Sequence, residues 1–231
     1  MTNDYFSQQK HLVKEIETSL LKGVRKASTV EMQKDYTNDD QICLTSVVFV
    51  PKNISQKITE DIVRPLQKID SDQYYYPLDS MHLTIKNVRV IKNPPSFNEE
   101  DIRKVDKLFS ELIPKFPKFE FSIEDVILWP TSIAVMGYCG KTLQKLVTAL
   151  DEGLKEIGVP DNKKYISDSV YFGNITLCRF TKKPNEQFME EAGKFRNYKI
   201  GKMKVEKISL ISCNAVCHPS SRKIIGEYEL R

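Results

Sequence analysis

The sequence predicts a two-lobed α+β domain, each lobe a mostly antiparallel sheet with helices on its outer face, and a central groove between the lobes. Three observations predict it. Strand-like and helix-like patterns alternate along the chain. The order strand, helix, strand occurs twice at similar spacing, with His82 lying 39 residues after Cys43 and Asn174 lying 41 after Ile133. The closing strands of these units also share a pattern, His82-Leu83-Thr84-Ile85 and Asn174-Ile175-Thr176-Leu177.

Taken in order, Leu12, Ile16, Leu20 and Val24 form the four-residue stripe of an amphipathic helix, and a polar stretch follows from Lys34 to Asp40. Residues 1–40 therefore read as a helical extension with a linker, and 41–231 as one two-lobed domain. A strand is expected over Cys43–Val50, then a helix capped near Ser55, carrying Ile58, Ile62, Leu66 and Ile69 and kinked by Pro65. The first motif strand spans about Met81–Ile91. Asn98 caps a helix with Ile102, Val105, Phe109 and Leu112 on one side, and Phe119, Phe121 and Ile123 alternate as a strand running toward Trp129. The second unit repeats this with a strand Ile133–Tyr138, a helix through Leu143, Leu150 and Leu154, and the motif strand Phe172–Phe180. A helix over Asn185–Phe195 and strands at Lys204–Ser212 and Lys223–Leu230, joined by the Pro219-Ser220-Ser221 turn, complete the chain.

Composition narrows the class. With 40% hydrophobic and 29% charged residues, 231 residues suffice for one substantial core. Basic residues are interspersed through the first 30 positions, which does not read as a signal peptide, and no apolar run has membrane-spanning length. The five cysteines are odd in number and lack CxxC pairs, so free thiols and an intracellular location, cytoplasmic or nuclear, are expected. Net charge is only +4, but Lys194, Arg196, Lys199, Lys202, Lys204 and Lys207 crowd one segment, which reads either as solvated surface or as a groove for RNA phosphates.

The two motifs carry the chemistry. Strand side chains alternate, so His82 and Thr84 project together, as do Asn174 and Thr176, with Leu83, Ile85, Ile175 and Leu177 packing behind. Two His-x-Thr pairs across a groove suit metal-independent phosphodiester cleavage: one imidazole takes a proton, the other gives one, and the Thr hydroxyls donate to phosphate oxygens. In this chain one imidazole is replaced by the amide of Asn174, which donates hydrogen bonds but relays no proton.

These motifs resemble those of the two-histidine (2H) phosphoesterase superfamily, which includes 2'-5' RNA ligase-like proteins and cyclic nucleotide phosphodiesterases. The first matches fully; the second, continuing Leu177-Cys178-Arg179, matches except at Asn174. The strand around Lys207–Ser212 and the ending Tyr228-Glu229-Leu230 are also similar to the family's closing hairpin. The resemblance covers about residues 42–231. It implies recognition of an RNA or nucleotide phosphodiester, a 2',3'-cyclic phosphate, a 2'-5' linkage or an RNA end, with His82 as the surviving catalytic group and Thr84, Asn174 and Thr176 binding substrate. Catalysis is then expected to be impaired or altered: a slow one-histidine reaction, a substitute acid such as His218 or a Tyr, or a deliberately replaced histidine. The alternative is a non-catalytic nucleotide-binding, RNA-binding or scaffolding module, with the N-terminal helix docking a protein partner.

Lys86 shares strand parity with His82 and is expected either to approach a phosphate or to reach solvent. Arg179 has the opposite parity to Thr176 and points away from the groove unless a bulge intervenes. Tyr74, Tyr75 and Tyr76, with Trp129, offer stacking faces for bases or belong to core and rim. His218 beside Cys217 lacks a second Cys/His pair, so no metal and no cofactor is expected.

Overall fold

The computed structural model describes residues 5–21 and 30–231. Among the described residues, nine strands form a single antiparallel sheet: β1 Ile42–Phe49, β2 Tyr74–Tyr75, β3 His82–Lys92, β4 Phe119–Trp129, β5 Ser132–Tyr138, β6 Gly173–Arg179, β7 Lys199–Val205, β8 Lys207–Cys213 and β9 Lys223–Glu229. Their order is β7-β4-β5-β6-β3-β1-β8-β9, with β2 on β6. Each motif strand is thus the innermost strand of its half, and the halves meet edge to edge at a single register pair, Leu83 with Ile175. The stretch expected as one strand, Lys204–Ser212, is two, parted at Glu206, and they sit near opposite ends of the sheet order. One residue spans at most about 7 Å between its neighbours' Cα atoms, so the sheet must curl until its ends approach. Backbone bonds from Leu230 to Glu206 and between Arg231 and both Phe116 and Lys118 hold that closure.

The helices are α1 Tyr5–Leu21, α2 Lys52–Ile58, α3 Arg64–Ile69, α4 Glu99–Leu112, α5 Lys141–Glu156 and α6 Glu186–Lys194. Helix α2 starts three residues before Ser55: Pro51 occupies the cap and the Ser55 hydroxyl donates back to the Lys52 carbonyl. A π turn, Thr59–Val63, links α2 to α3 and takes up the residue made awkward by Pro65, which has no N–H to give. Asn98 caps α4 as expected, in a capping box with Asp101. Helices α2 and α3 follow β1 yet pack on β7 and α6, whereas α5 follows β5 yet packs on β3 and α4. Each unit's helix therefore leans on the other half and ties the lobes together.

The main core lies on the helix-bearing face, where Leu83, Ile175, Leu177, Phe121, Phe109 and Leu150 are fully buried. Two smaller apolar clusters flank a polar strip on the other face: Cys43, Val47, Ile211, Cys213 and Cys217 in one half, Val13, Ile127, Met136 and Tyr138 in the other. Helix α1 covers the second cluster. Its Gln9 side chain binds the backbone of Tyr171 and Cys139, and Lys10 pairs with Glu124 at 2.9 Å. Of the expected stripe, Ile16 is buried against the chain itself and Leu12 and Leu20 are half-buried, while Val13, outside that stripe, is buried beside Ile16; Val24 lies outside the described residues. The polar stretch after it is pinned by Tyr36, which is 1% exposed and donates to the Phe180 carbonyl.

All five cysteines are free and buried, and none of the described helices is long and apolar enough to cross a membrane. In the basic segment, Lys194, Arg196, Lys202, Lys204 and Lys207 each pair with a glutamate, and none of them lines the groove described below. Those five are paired surface, and Lys199 is exposed.

Candidate functional site

β3 and β6 border a groove of two connected compartments of about 210 and 270 Å³, the larger of which reaches Leu143 and Val147 of α5. The smaller is lined by His82 and the larger by Trp129, Tyr165 and Phe172; Thr84, Asn87, Lys163, Asn174, Thr176 and Arg179 line both. The imidazole and the carboxamide thus border the smaller compartment together. No carboxylate is found among the described lining residues.

The His82 ring is oriented from below. Nδ1 lies 2.7 Å from the Ser80 carbonyl, which only accepts, so Nδ1 carries the proton and the neutral ring leaves Nε2 as an acceptor. Burial lowers the His82 pKa below its ordinary 6.5, the Ser80 bond opposes that shift, and the charges of Arg179 and Arg222 add to it. The ring is therefore neutral at pH 7, the state a general base needs. Opposite, Asn174 Nδ2 lies 3.5 Å from Thr176 Oγ1.

Bulges decide which neighbours join these residues. On β3, Ser46 pairs with Lys86 and Val47 with Thr84, so Ile85 is an extra residue; on β6, Ala134 pairs with Thr176 and Ile133 with Cys178, so Leu177 is extra. Each bulge directly follows the motif threonine and inverts the alternation beyond it. Ser46 Oγ takes up both the Lys86 N–H and the Lys86 carbonyl, each at 3.1 Å, while the Tyr76 N–H bonds the Leu177 carbonyl. The ladder groups freed by the bulges are thus satisfied locally.

The consequence for Lys86 corrects the parity expectation. It is 3% exposed, lies away from the groove, and holds Nζ 2.6 Å from both Asp151 on α5 and Asp161. Arg179 moves the other way, into the groove, and Nε donates to the Tyr76 hydroxyl at 3.0 Å. Tyr76 is 4% exposed and also donates to the Ala215 carbonyl, so it positions Arg179 and offers no open face for stacking. His218 sits in the β8–β9 turn with Nδ1 2.7 Å from Ser220 Oγ and does not line the groove. No cluster of three or more potential metal-ligating side chains occurs among the described residues.

Lys163 and Asn87 were not singled out by the sequence. Asn87 occupies on β3 the place that Arg179 occupies on β6, three residues beyond the motif threonine, and only the bulge turns it inward. Lys163 comes from the loop between α5 and β6, a stretch without periodicity. Asp161 anchors that loop through Lys86, and the Asn162 side chain accepts from the Val90 N–H. Burial lowers the pKa of Lys163, and the charges of Arg179 and Lys86 push the same way, against Asp161. It makes no ion pair among the described residues.

No family model and no curated protein matches this sequence. Solved structures do match the fold. Escherichia coli LigT complexed with 3'-AMP is 14% identical, with a TM-score of 0.59 and coverage of 83% of this chain and 99% of LigT. A protein of Thermus thermophilus is 15% identical, with a TM-score of 0.58 and coverage of 83% and 98%. A structure described as a phosphoesterase gives 14% identity, a TM-score of 0.58 and coverage of 83% and 99%. LigT has also been crystallised with ATP, NADP+ and phosphate. At these identities the likeness speaks for architecture, and it agrees with the duplicated motif strands: this chain has the fold of the 2H phosphoesterases.

Proposed function

We propose that the groove binds a phosphodiester of RNA or a nucleotide, a 2',3'-cyclic phosphate or a 2'-5' linkage, and cleaves it without metal by an impaired, one-histidine route. The observation that carries this reading is one cavity wall bearing His82, Thr84, Asn174 and Thr176 beside Arg179 and Lys163, with no lining carboxylate. Such a site attracts anions and repels none. His82 Nε2 would take the proton of the attacking oxygen, Thr84 and Thr176 would donate to the non-bridging oxygens, and Arg179 would offset their charge. Asn174 would add a donor for phosphate. The nucleotides carried by LigT support a nucleotide ligand, and the aromatic wall of Trp129, Tyr165 and Phe172 offers faces for a base. Free buried thiols support a reducing compartment, cytoplasmic or nuclear.

Losing one proton-transfer group costs roughly 10²- to 10⁴-fold in rate, about 3–5 kcal/mol at the transition state. Asn174 therefore also favours a second reading, a nucleotide- or RNA-binding module without turnover. Hydrolysis of 2',3'-cyclic nucleotides by the parent, His82→Ala and Asn174→His separates them. Parent turnover that His82→Ala abolishes and Asn174→His raises supports the enzyme. Binding without turnover in the parent supports the module, and absence of both binding and turnover refutes both.

A further inference from the structure

Replacement of the second histidine by Asn174 leaves the groove short of a proton donor, and the groove's own lining narrows where another could come from. A guanidinium does not give up a proton usefully, and threonine hydroxyls and carboxamides are too weakly acidic to protonate an alkoxide leaving group. Tyr76 shares the compartment of His82, but its hydroxyl proton is committed to the Ala215 carbonyl. The Cys43 and Cys213 sulfurs face one another at 3.7 Å. Tyr165, Tyr171 and Lys164 line only the larger compartment, and the Tyr171 hydroxyl donates to the Asp168 carbonyl. Lys163 remains. It lines both compartments alongside the two motif threonines and Asn174, and it makes no ion pair among the described residues.

We infer that Lys163 is the general acid of this groove, delivering from the α5–β6 loop the proton that the absent second histidine would deliver from β6. The inference rests on the phosphodiesterase reading above. In the step, His82 Nε2 takes a proton from water as the water oxygen bonds to phosphorus. The opposite P–O bond breaks, and the Lys163 ammonium gives one proton to the departing ribose oxygen. Imidazolium and neutral amine result, and proton exchange with solvent resets both. Lysine serves this role when its ammonium is destabilised. Here burial does so, together with Arg179 on β6 and Lys86 on β3; Asp161 on the same loop and the Cys43 thiol on β1 act in the opposite sense and favour the charged form.

Lys163→Arg keeps the charge but cannot give up its proton, so it separates the acid from a mere phosphate clamp. Parent, Lys163→Arg and Asn174→His/Lys163→Arg would be assayed on 2',3'-cyclic AMP and on bis(4-nitrophenyl) phosphate, whose nitrophenolate departs without protonation. The expected result is a loss of about 10²-fold or more on the cyclic nucleotide in Lys163→Arg, a change of only a few-fold on the nitrophenyl ester, and recovery on the cyclic nucleotide in the double variant. The alkaline limb of the parent's kcat/KM profile should vanish in Lys163→Arg. Parent-like cyclic nucleotide turnover in Lys163→Arg, or equal losses on both substrates, would overturn the assignment. A parent inert toward both substrates overturns the acid role and the enzyme reading together. Turnover in the parent that survives Lys163→Arg unchanged leaves that reading intact and removes only this inference.

Discussion

Replacing Lys86 with methionine tests whether this residue serves the groove or the scaffold. The variant keeps most of the side-chain stem and removes only the ammonium, which lies 2.6 Å from Asp151 and 2.6 Å from Asp161. The two carboxylates are unequal. Asp151 is 29% exposed and retains Lys155 at 2.6 Å, so it stays paired. Asp161 is 4% exposed and loses its only ion-pair partner among the described residues. Asp161 keeps the Lys163 backbone N–H as a donor, so the cost is that of one buried carboxylate deprived of its paired cation, about 3–5 kcal/mol. For a chain of this size that lowers Tm by roughly 6–20 °C and moves the urea midpoint down without changing the slope. Lys86→Met/Asp161→Asn should regain much of the loss, because the stranded charge is gone. Urea titrations of the parent, the single and the double variant measure this directly. A single variant within about 0.5 kcal/mol of the parent, or one that loses phosphate binding at unchanged stability, would refute the reasoning and return Lys86 to the groove.

Four further outcomes are expected. The pKa of His82 is lowered from 6.5, so the acid limb of kcat/KM should have its midpoint below that pH; a pH profile with the limb at or above 6.5 contradicts the half-buried, neutral ring. By the same linkage the unfolded chain binds this proton more tightly, so the contribution of His82 to stability is present above about pH 6.5 and is lost as pH falls toward the folded value, which thermal melts of parent and His82→Gln should resolve. Inorganic phosphate should raise Tm by binding the groove, by the equivalent of about 2.7 kcal/mol at a hundred times Kd; Arg179→Met should lose most of that rise, and an unchanged rise would place the anion elsewhere. Gly173→Ala should destabilise by about 1–3 kcal/mol, measured as a urea midpoint, because a Cβ there would collide with the Leu83 side chain where β3 meets β6.

Much of this molecule was legible in one dimension, because hydrophobic period and capping act over a few residues. The helices carrying Val105 and Phe109 and carrying Leu143 and Leu150, the Asn98 cap, and the two motif strands with their polar pairs on one face follow from periods of 3.6 and 2. So does the twofold repetition that places His82 and Asn174 at matching positions. Contacts between distant segments were not legible. Whether an extra residue enters β3 after Thr84, or β6 after Thr176, depends on register against β1 and β5, and that register reverses Lys86 and Arg179. The partners of Lys86 lie 65 and 75 residues further along the chain, and Lys163 reaches the groove from a loop placed by those ion pairs. The division at Glu206 likewise reflects a sheet that curls until its ends approach, a property of the whole sheet. The sequence alone determined most of the helices and strands and the faces they bury as far as each bulge. Tertiary register decided which charges face the groove, because a one-residue bulge costs little locally yet exchanges the two faces of everything beyond it.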